Sequence, residues 1–175
     1  MRYLFVIFLV VALALPVFAQ EAGQKKADVK PAFHVTDYPL PRFVTLGSDK
    51  IFVRAGPGAQ YPIKWVYEKQ GLPVEIILEF ETWRKIKDIN GQEGWVHQSL
   101  LSGKRAVILT GKENVAVRAK PEDEARLVAY MEPAVIATLE ECRPSWCKVA
   151  SGGYAGWVVR TSLWGVYPDE NPGEK

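Results

Sequence analysis

Between residues 42 and 167 the apolar side chains come in short runs, many of them alternating with polar ones, and Gly, Pro or Asn interrupts them about every eight to twelve residues. Period-2 alternation with that punctuation is the pattern of short strands in a small all-β barrel or sandwich, and the runs are rich in Val, Ile, Phe, Trp and Tyr. Strands are predicted over residues 43–46, 51–54, 62–67, 73–80, 83–89 and 92–97, and a second series over 105–110, 115–118, 126–131, 134–140, 145–150 and 154–159. No helical stripe exceeds about three turns; the best, Glu122 to Met131, starts beside Pro121 and is short. Asn90-Gly91 predicts a two-residue hairpin with a type I′ turn, which needs positive φ at both central positions. Ser151-Gly152-Gly153 holds the equivalent place in the second series.

The two series are one unit written twice. Val53-Arg54-Ala55-Gly56-Pro57, Trp83-Arg84-Lys85-Ile86 and Gly94-Trp95-Val96 are answered by Val117-Arg118-Ala119-Lys120-Pro121, Trp146-Cys147-Lys148-Val149 and Gly156-Trp157-Val158. The offsets are 64, 63 and 62 residues. Units of that length are small domains in tandem, longer than the roughly 20 to 50 residues of a solenoid repeat. We place them at residues 42–103 and 104–167. A unit of about 60 residues has a marginal core by itself, so the two are expected to pack together.

The flanks read differently. Met1 and Arg2, an apolar run from Tyr3 to Leu15 and then Pro16-Val17-Phe18-Ala19 form the pattern of a secretory signal peptide over residues 1–19, cleaved after Ala19. The run is shorter than the roughly 20 residues that span a bilayer, and no later stretch is long and apolar enough to do so. The mature chain is thus expected to be periplasmic or secreted, with no stable membrane insertion. Residues 20–41 carry Lys, Ala, Asp and Gln with three prolines and no period, and read as a flexible tether. Residues 168–175 are unstructured by composition.

Charge removes one class of partner. Without Arg2 the chain holds 21 Lys and Arg against 20 Asp and Glu, a balance that offers no basic footprint for nucleic acid. Cys142 and Cys147 are the only cysteines, and in an oxidising compartment they are read as a structural disulfide. Its loop is so short that the chain-entropy estimate is only about 2 kcal/mol, enough to pin one hairpin. His34 and His97, the only histidines, lie too far off to complete a tetrahedral metal site with the cysteines, so neither metal nor other cofactor is expected.

Val-Arg-Ala-Gly-Pro followed by Tyr61, then Trp83, then Gly94-Trp95-Val96 and Leu100, resembles the bacterial SH3-like (SH3b) domain. The resemblance covers about 125 residues, and the chain is similar to exported proteins made of two such domains. Phe52 and Ala116 stand where that family often has Asn, and Lys120 replaces the Gly of the first turn in the second copy. The resemblance implies two tandem small SH3-like β-barrels used for targeting or binding, often of cell-wall peptides, with catalysis housed in other domains. It therefore implies that this chain is not an enzyme.

Strand alternation puts Trp83 on one face with Lys85 and Lys87, opposite Ile86, and Trp146 on one face with Lys148, opposite Cys147 and Val149. A Trp on a polar face is either a binding platform or a ring folded over a barrel end. Both uses stay open for Trp83; the structural one is favoured for Trp146, which the disulfide flanks. Tyr61, Trp65 and Tyr67 share a face by period 2 and make the densest aromatic stripe, suited to core packing with a rim that could line a groove. Trp95 and Trp157 are read as barrel closure beside Gly94 and Gly156. Arg54 and Arg118 are expected to donate to turn carbonyls. His97 falls where a eukaryotic SH3 groove carries Pro, and Leu100 where it carries Tyr, which argues against recognition of proline-rich peptides.

These residues point to a non-catalytic exported module that recognises cell-wall (peptidoglycan) peptide or a protein partner through exposed aromatics. A structural adaptor in a periplasmic assembly is the alternative. A wall hydrolase would need a nucleophile or metal that the mature sequence does not visibly supply.

Overall fold

The computed structural model describes residues 36–172. The expected signal peptide and tether residues 20–35 lie outside the described residues, as do 173–175. Among those described, no helix is long and apolar enough to cross a membrane.

The first unit contains β1 (Arg42–Leu46), β2 (Ile51–Arg54), β3 (Ile63–Tyr67), β4 (Pro73–Phe80), β5 (Trp83–Lys87), β6 (Glu93–His97) and β7 (Leu101–Ser102). The second repeats the order with β8 (Ala106–Leu109), β9 (Val115–Arg118), β10 (Leu127–Met131), β11 (Ile136–Cys142), β12 (Trp146–Ser151), β13 (Tyr154–Val159) and β14 (Leu163–Trp164). Each forms an antiparallel seven-stranded sheet, ordered β3-β2-β6-β5-β4-β1-β7 and β10-β9-β13-β12-β11-β8-β14. The fold is all-β, two SH3-like barrels in tandem. The short closing strands β7 and β14 went unpredicted, because two residues after a 3-10 turn are too few to show a period.

Alternation explains the core. In β5 the burial pattern hides Arg84 and Ile86 and leaves Trp83, Lys85 and Lys87 partly open. Leu46, Ile51, Val53, Val74, Ile76, Ile86 and Val96 form one buried cluster, and side chains from both end strands, Trp65 and Tyr67 of β3 and Leu101 of β7, pack against it. A sheet whose two edges share one core is curled around it. Val107, Leu109, Val117, Leu139, Val149 and Val158 do the same in the second unit.

The two barrels pack on each other. Phe43 and Glu75 face one another across β1 and β4, and Tyr167 from the end of the second unit meets both. Its ring lies 4.7 Å from that of Phe43, on which Trp164 stands edge-on at 5.1 Å. Its hydroxyl donates to Glu75 Oε1 at 2.7 Å, while Lys87 Nζ holds the other carboxylate oxygen at 2.5 Å. Burial and the bond to Glu75 both push the Tyr167 hydroxyl above its usual range.

Three expectations are corrected. Asn90-Gly91 is not a type I′ turn, since of the two only Gly91 has positive φ. Asp88 and Gln92 pair through Asp88 N to Gln92 O, and Asp88 Oδ1 accepts the N–H groups of Asn90 and Gln92, so a type I turn with an αL glycine wins. The two-residue turn with positive φ at both positions exists in the second copy, at Gly152 and Gly153. The tail, expected to be unstructured from Pro168, is drawn in at Glu170. Arg105 pairs with its carboxylate and Arg160 Nη1 donates to its carbonyl at 2.8 Å. The third is the tether, whose last residues lie on the first barrel, as described below.

Candidate functional site

The sequence-selected residues do not converge on one place. Trp83 and His97 are cross-strand partners on β5 and β6. Their rings meet edge-to-face at 5.6 Å on the outer face of the first sheet, both half-buried. His97 also ends its strand: its Nδ1 accepts the N–H of Ser99 and lies 2.7 Å from Ser99 Oγ. Next to Trp83 on the same face, Lys85 pairs with Glu93 at 2.6 Å, and the Lys85 ammonium holds the Glu93 carboxyl below its usual range.

Trp65 and Tyr67 lie on the other face of their strand, against the core. The Trp65 ring lies along Gly94, where an added Cβ would come within 3.2 Å of Cη2 and 2.3 Å of Val53 Cγ1; no other residue fits there. Lys64 covers that ring at 5.0 Å. Tyr67 donates to Asp88 at 2.9 Å and meets Trp65 edge-on. Tyr61 departs from the stripe, since β3 begins at Ile63. Its ring instead lies on the Cα of Gly56, where a Cβ would approach to 2.5 Å. Arg54 holds this turn by donating to Tyr61 O at 2.7 Å, and Arg118 does the same to Ala125 O at 2.9 Å, as expected. Val96 and Val158 point inward; Trp95 and Trp157 take the outer face yet are almost fully covered, Trp157 under the Arg143 guanidinium.

Cross-strand register makes the two barrels comparable residue by residue. Val53 faces Trp65 and Val117 faces Ala129; Ile51 faces Tyr67 and Val115 faces Met131. Trp83 faces His97, whereas Trp146 faces Val159. With Ala125 in the place of Tyr61, the second barrel keeps Trp146 alone of the first barrel's five candidate rings. Cys142 and Cys147 are bonded to each other, face to face on β11 and β12. Among the described residues no group of three or more His, Cys, Asp or Glu side chains could hold a metal.

One cluster escaped the sequence reading. Glu79 is completely buried at the end of the first barrel. Arg42 Nη2 donates to it at 2.6 Å, Arg84 Nε lies 3.3 Å away, and Thr36 gives it both its N–H at 2.7 Å and its hydroxyl at 2.8 Å. Burial alone would raise this carboxyl, but the hydrogen bond from Arg42 and those from Thr36 outweigh it and hold the carboxyl at about 2. Arg84 also donates to the carbonyls of Glu81 and Trp83 and to Gln98 Oε1. The signal was present: Glu79 and Arg84 precede Cys142 and Cys147 by the same 63 residues that separate Trp83 from Trp146.

The sequence pattern of the bacterial SH3 domain matches this chain twice, at residues 47–103 and 111–165. The chain belongs to the bacterial SH3 domain family. The two matches fall on the two sheets, so each barrel is one bacterial SH3 domain. Among solved structures the chain is similar to NlpC2 from Trichomonas vaginalis, at 11% identity and a TM-score of 0.34, covering 73% of this chain and 49% of that one. NlpC1 from the same organism is similar at 11% identity and 0.32, covering 75% and 48%. The chain thus spans about half the length of each. No curated protein matches it.

Proposed function

We propose that this tandem bacterial SH3 protein is a non-catalytic binding module that works outside the cytoplasm and recognises cell-wall peptide or a protein partner through the aromatic surface of its first barrel. The observation that carries this reading is the asymmetry of the copies. Trp65, Tyr67 and His97 are answered by Ala129, Met131 and Val159 at equivalent register, and Tyr61 by Ala125 as the carbonyl that accepts from the turn arginine. Both barrels fold, so the fold does not demand these rings, and Trp is among the side chains that carry most binding energy in interfaces. Tyr61, exposed at its turn, and the half-buried outer-face pair Trp83 and His97 are the accessible part of the set. Both cysteines are tied up in the disulfide, so neither offers a thiol nucleophile.

The adaptor reading has one observation of its own. β3 is an edge strand, and Phe52, Ile63 and Val66 are exposed on its hairpin, where a protein partner could add a strand. Retention on purified peptidoglycan separates the two. The cell-wall reading expects the wild type and Trp146→Ala to be retained and Trp83→Ala to be lost. Equal retention of all three removes the Trp83 site, and no retention of the wild type leaves the adaptor.

A further inference from the structure

A carboxylate buried with two guanidinium groups is expensive to desolvate, and a well-packed replacement without charge is often as stable or more so. This chain contains that replacement. Glu79 faces Arg84 across β4 and β5, and at the same register of the second barrel Cys142 faces Cys147. The hairpin forms with a covalent link and no charge, so the fold does not require the ion cluster at this position. In the first barrel the cluster holds a piece of chain. Thr36 lays two donors on the one carboxylate. Tyr38 stacks beneath the Arg42 guanidinium at 5.2 Å, the Pro39 carbonyl accepts from Arg42 Nη1, and Leu40 packs on the core. Thr36 and Tyr38 form one wall of an open cleft of about 520 Å³ whose other wall includes Arg84, Gln98 and Leu101.

We propose that the Glu79 and Arg42 surface at this barrel end is a docking site for an extended peptide, occupied in the present structure by the chain's own residues 36–40, and that a peptide bearing Ser or Thr in place of Thr36 exchanges with them on Glu79. A hydroxyl residue is selected because the buried carboxylate takes two donors from one residue, an N–H and an O–H; an Ala or Val there leaves one acceptor position unmet in a dry site. Exchange is feasible because Asp37, Tyr38 and Pro39 are exposed and Thr36 is held mainly by its hydrogen bonds. The short tether keeps the internal segment at an effective concentration on the order of a millimolar, so an external peptide binds the wild type with reduced apparent affinity. The site does not involve the Trp83 ring, and its test is independent of that reading.

The test uses the full chain and a fluorescent peptide with the sequence of residues 33–41, followed by anisotropy. Thr36→Val/Tyr38→Ala, which loosens the internal segment, is expected to bind the peptide about tenfold or more tightly than the wild type. A peptide with Val for Thr is expected to lose that gain, and adding Glu79→Gln to the double variant is expected to abolish it. Glu79→Gln can unfold the barrel, but the Thr-against-Val comparison between peptides decides without it. Equal affinity of both chains, no binding to either, or equal binding of the two peptides overturns the proposal.

Discussion

Glu79 and Cys142 occupy the same place in the two barrels, each the last core-side residue of its strand before the tip of the hairpin and each tied to the residue directly across. The tie is an ion pair to Arg84 in one and a disulfide to Cys147 in the other. The second link is local and closes five residues of sequence separation. The first reaches outward, since Glu79 also gathers Arg42 and Thr36.

Breaking the two links should therefore have different costs. Removing the charge in Glu79→Gln leaves Arg84 buried without its counter-charge, for which we expect about 3–5 kcal/mol. Replacing both Cys142 and Cys147 by Ser should cost about 2 kcal/mol, the chain-entropy value for so short a loop. Urea unfolding of both variants checks the order. A larger loss in the cysteine variant would contradict it.

Acid should release the same contact. The Glu79 carboxyl is held at about 2 in the folded chain against an ordinary 4.5, so the unfolded chain binds more protons between those values. The stabilisation is therefore fully present above the ordinary value and is lost as pH falls from about 4.5 toward 2. Protonated Glu79 leaves the guanidinium groups of Arg42 and Arg84 without a counter-charge. Hydrogen exchange at Thr36 N–H should accelerate over that window beyond its intrinsic pH trend. An unchanged protection factor down to pH 2 would show that Glu79 does not hold the segment.

Tyr167→Phe removes one donor from the buried Glu75 at the contact between barrels and leaves Lys87 as its partner. A hydrogen bond to a charged group is worth about 1.5–3 kcal/mol. We expect a lower Tm with one cooperative transition preserved, and for Phe43→Ala, which removes the ring that Trp164 and Tyr167 both touch, two resolved transitions in calorimetry. Unchanged melting of both variants would mean that the barrels are stable without each other.

Alternation and Gly or Pro punctuation placed the twelve longer strands to within two residues, because short runs rich in Val, Ile, Trp and Tyr are bounded by turn residues on both sides. Faces were legible too, as Ile86 and Val149 show. What failed were interactions that no period encodes. A bulge between Ile76 and Leu78 shifts the register of β4, so counting by twos does not reveal Glu79 as Arg84's partner. Glu170 looked like tail because its order depends on Arg105 and Arg160, distant in sequence and near only in the folded chain. Asp88 overrode Asn90-Gly91 by a side-chain bond that the dipeptide rule leaves out. The candidate rings were all visible, but their division between outer face, core face and turn needed the strand ends.

The chain has six tryptophans, and each indole N–H gives its own signal in a nitrogen-proton correlation spectrum. Titrating the full chain with soluble peptidoglycan fragments reads the site directly. The Trp83 signal is expected to move first and furthest, with smaller changes at Trp65, while Trp146 and Trp157 stay in place. Movement confined to the second barrel would contradict the first-barrel site, and none at any indole would remove the cell-wall reading and leave the protein partner.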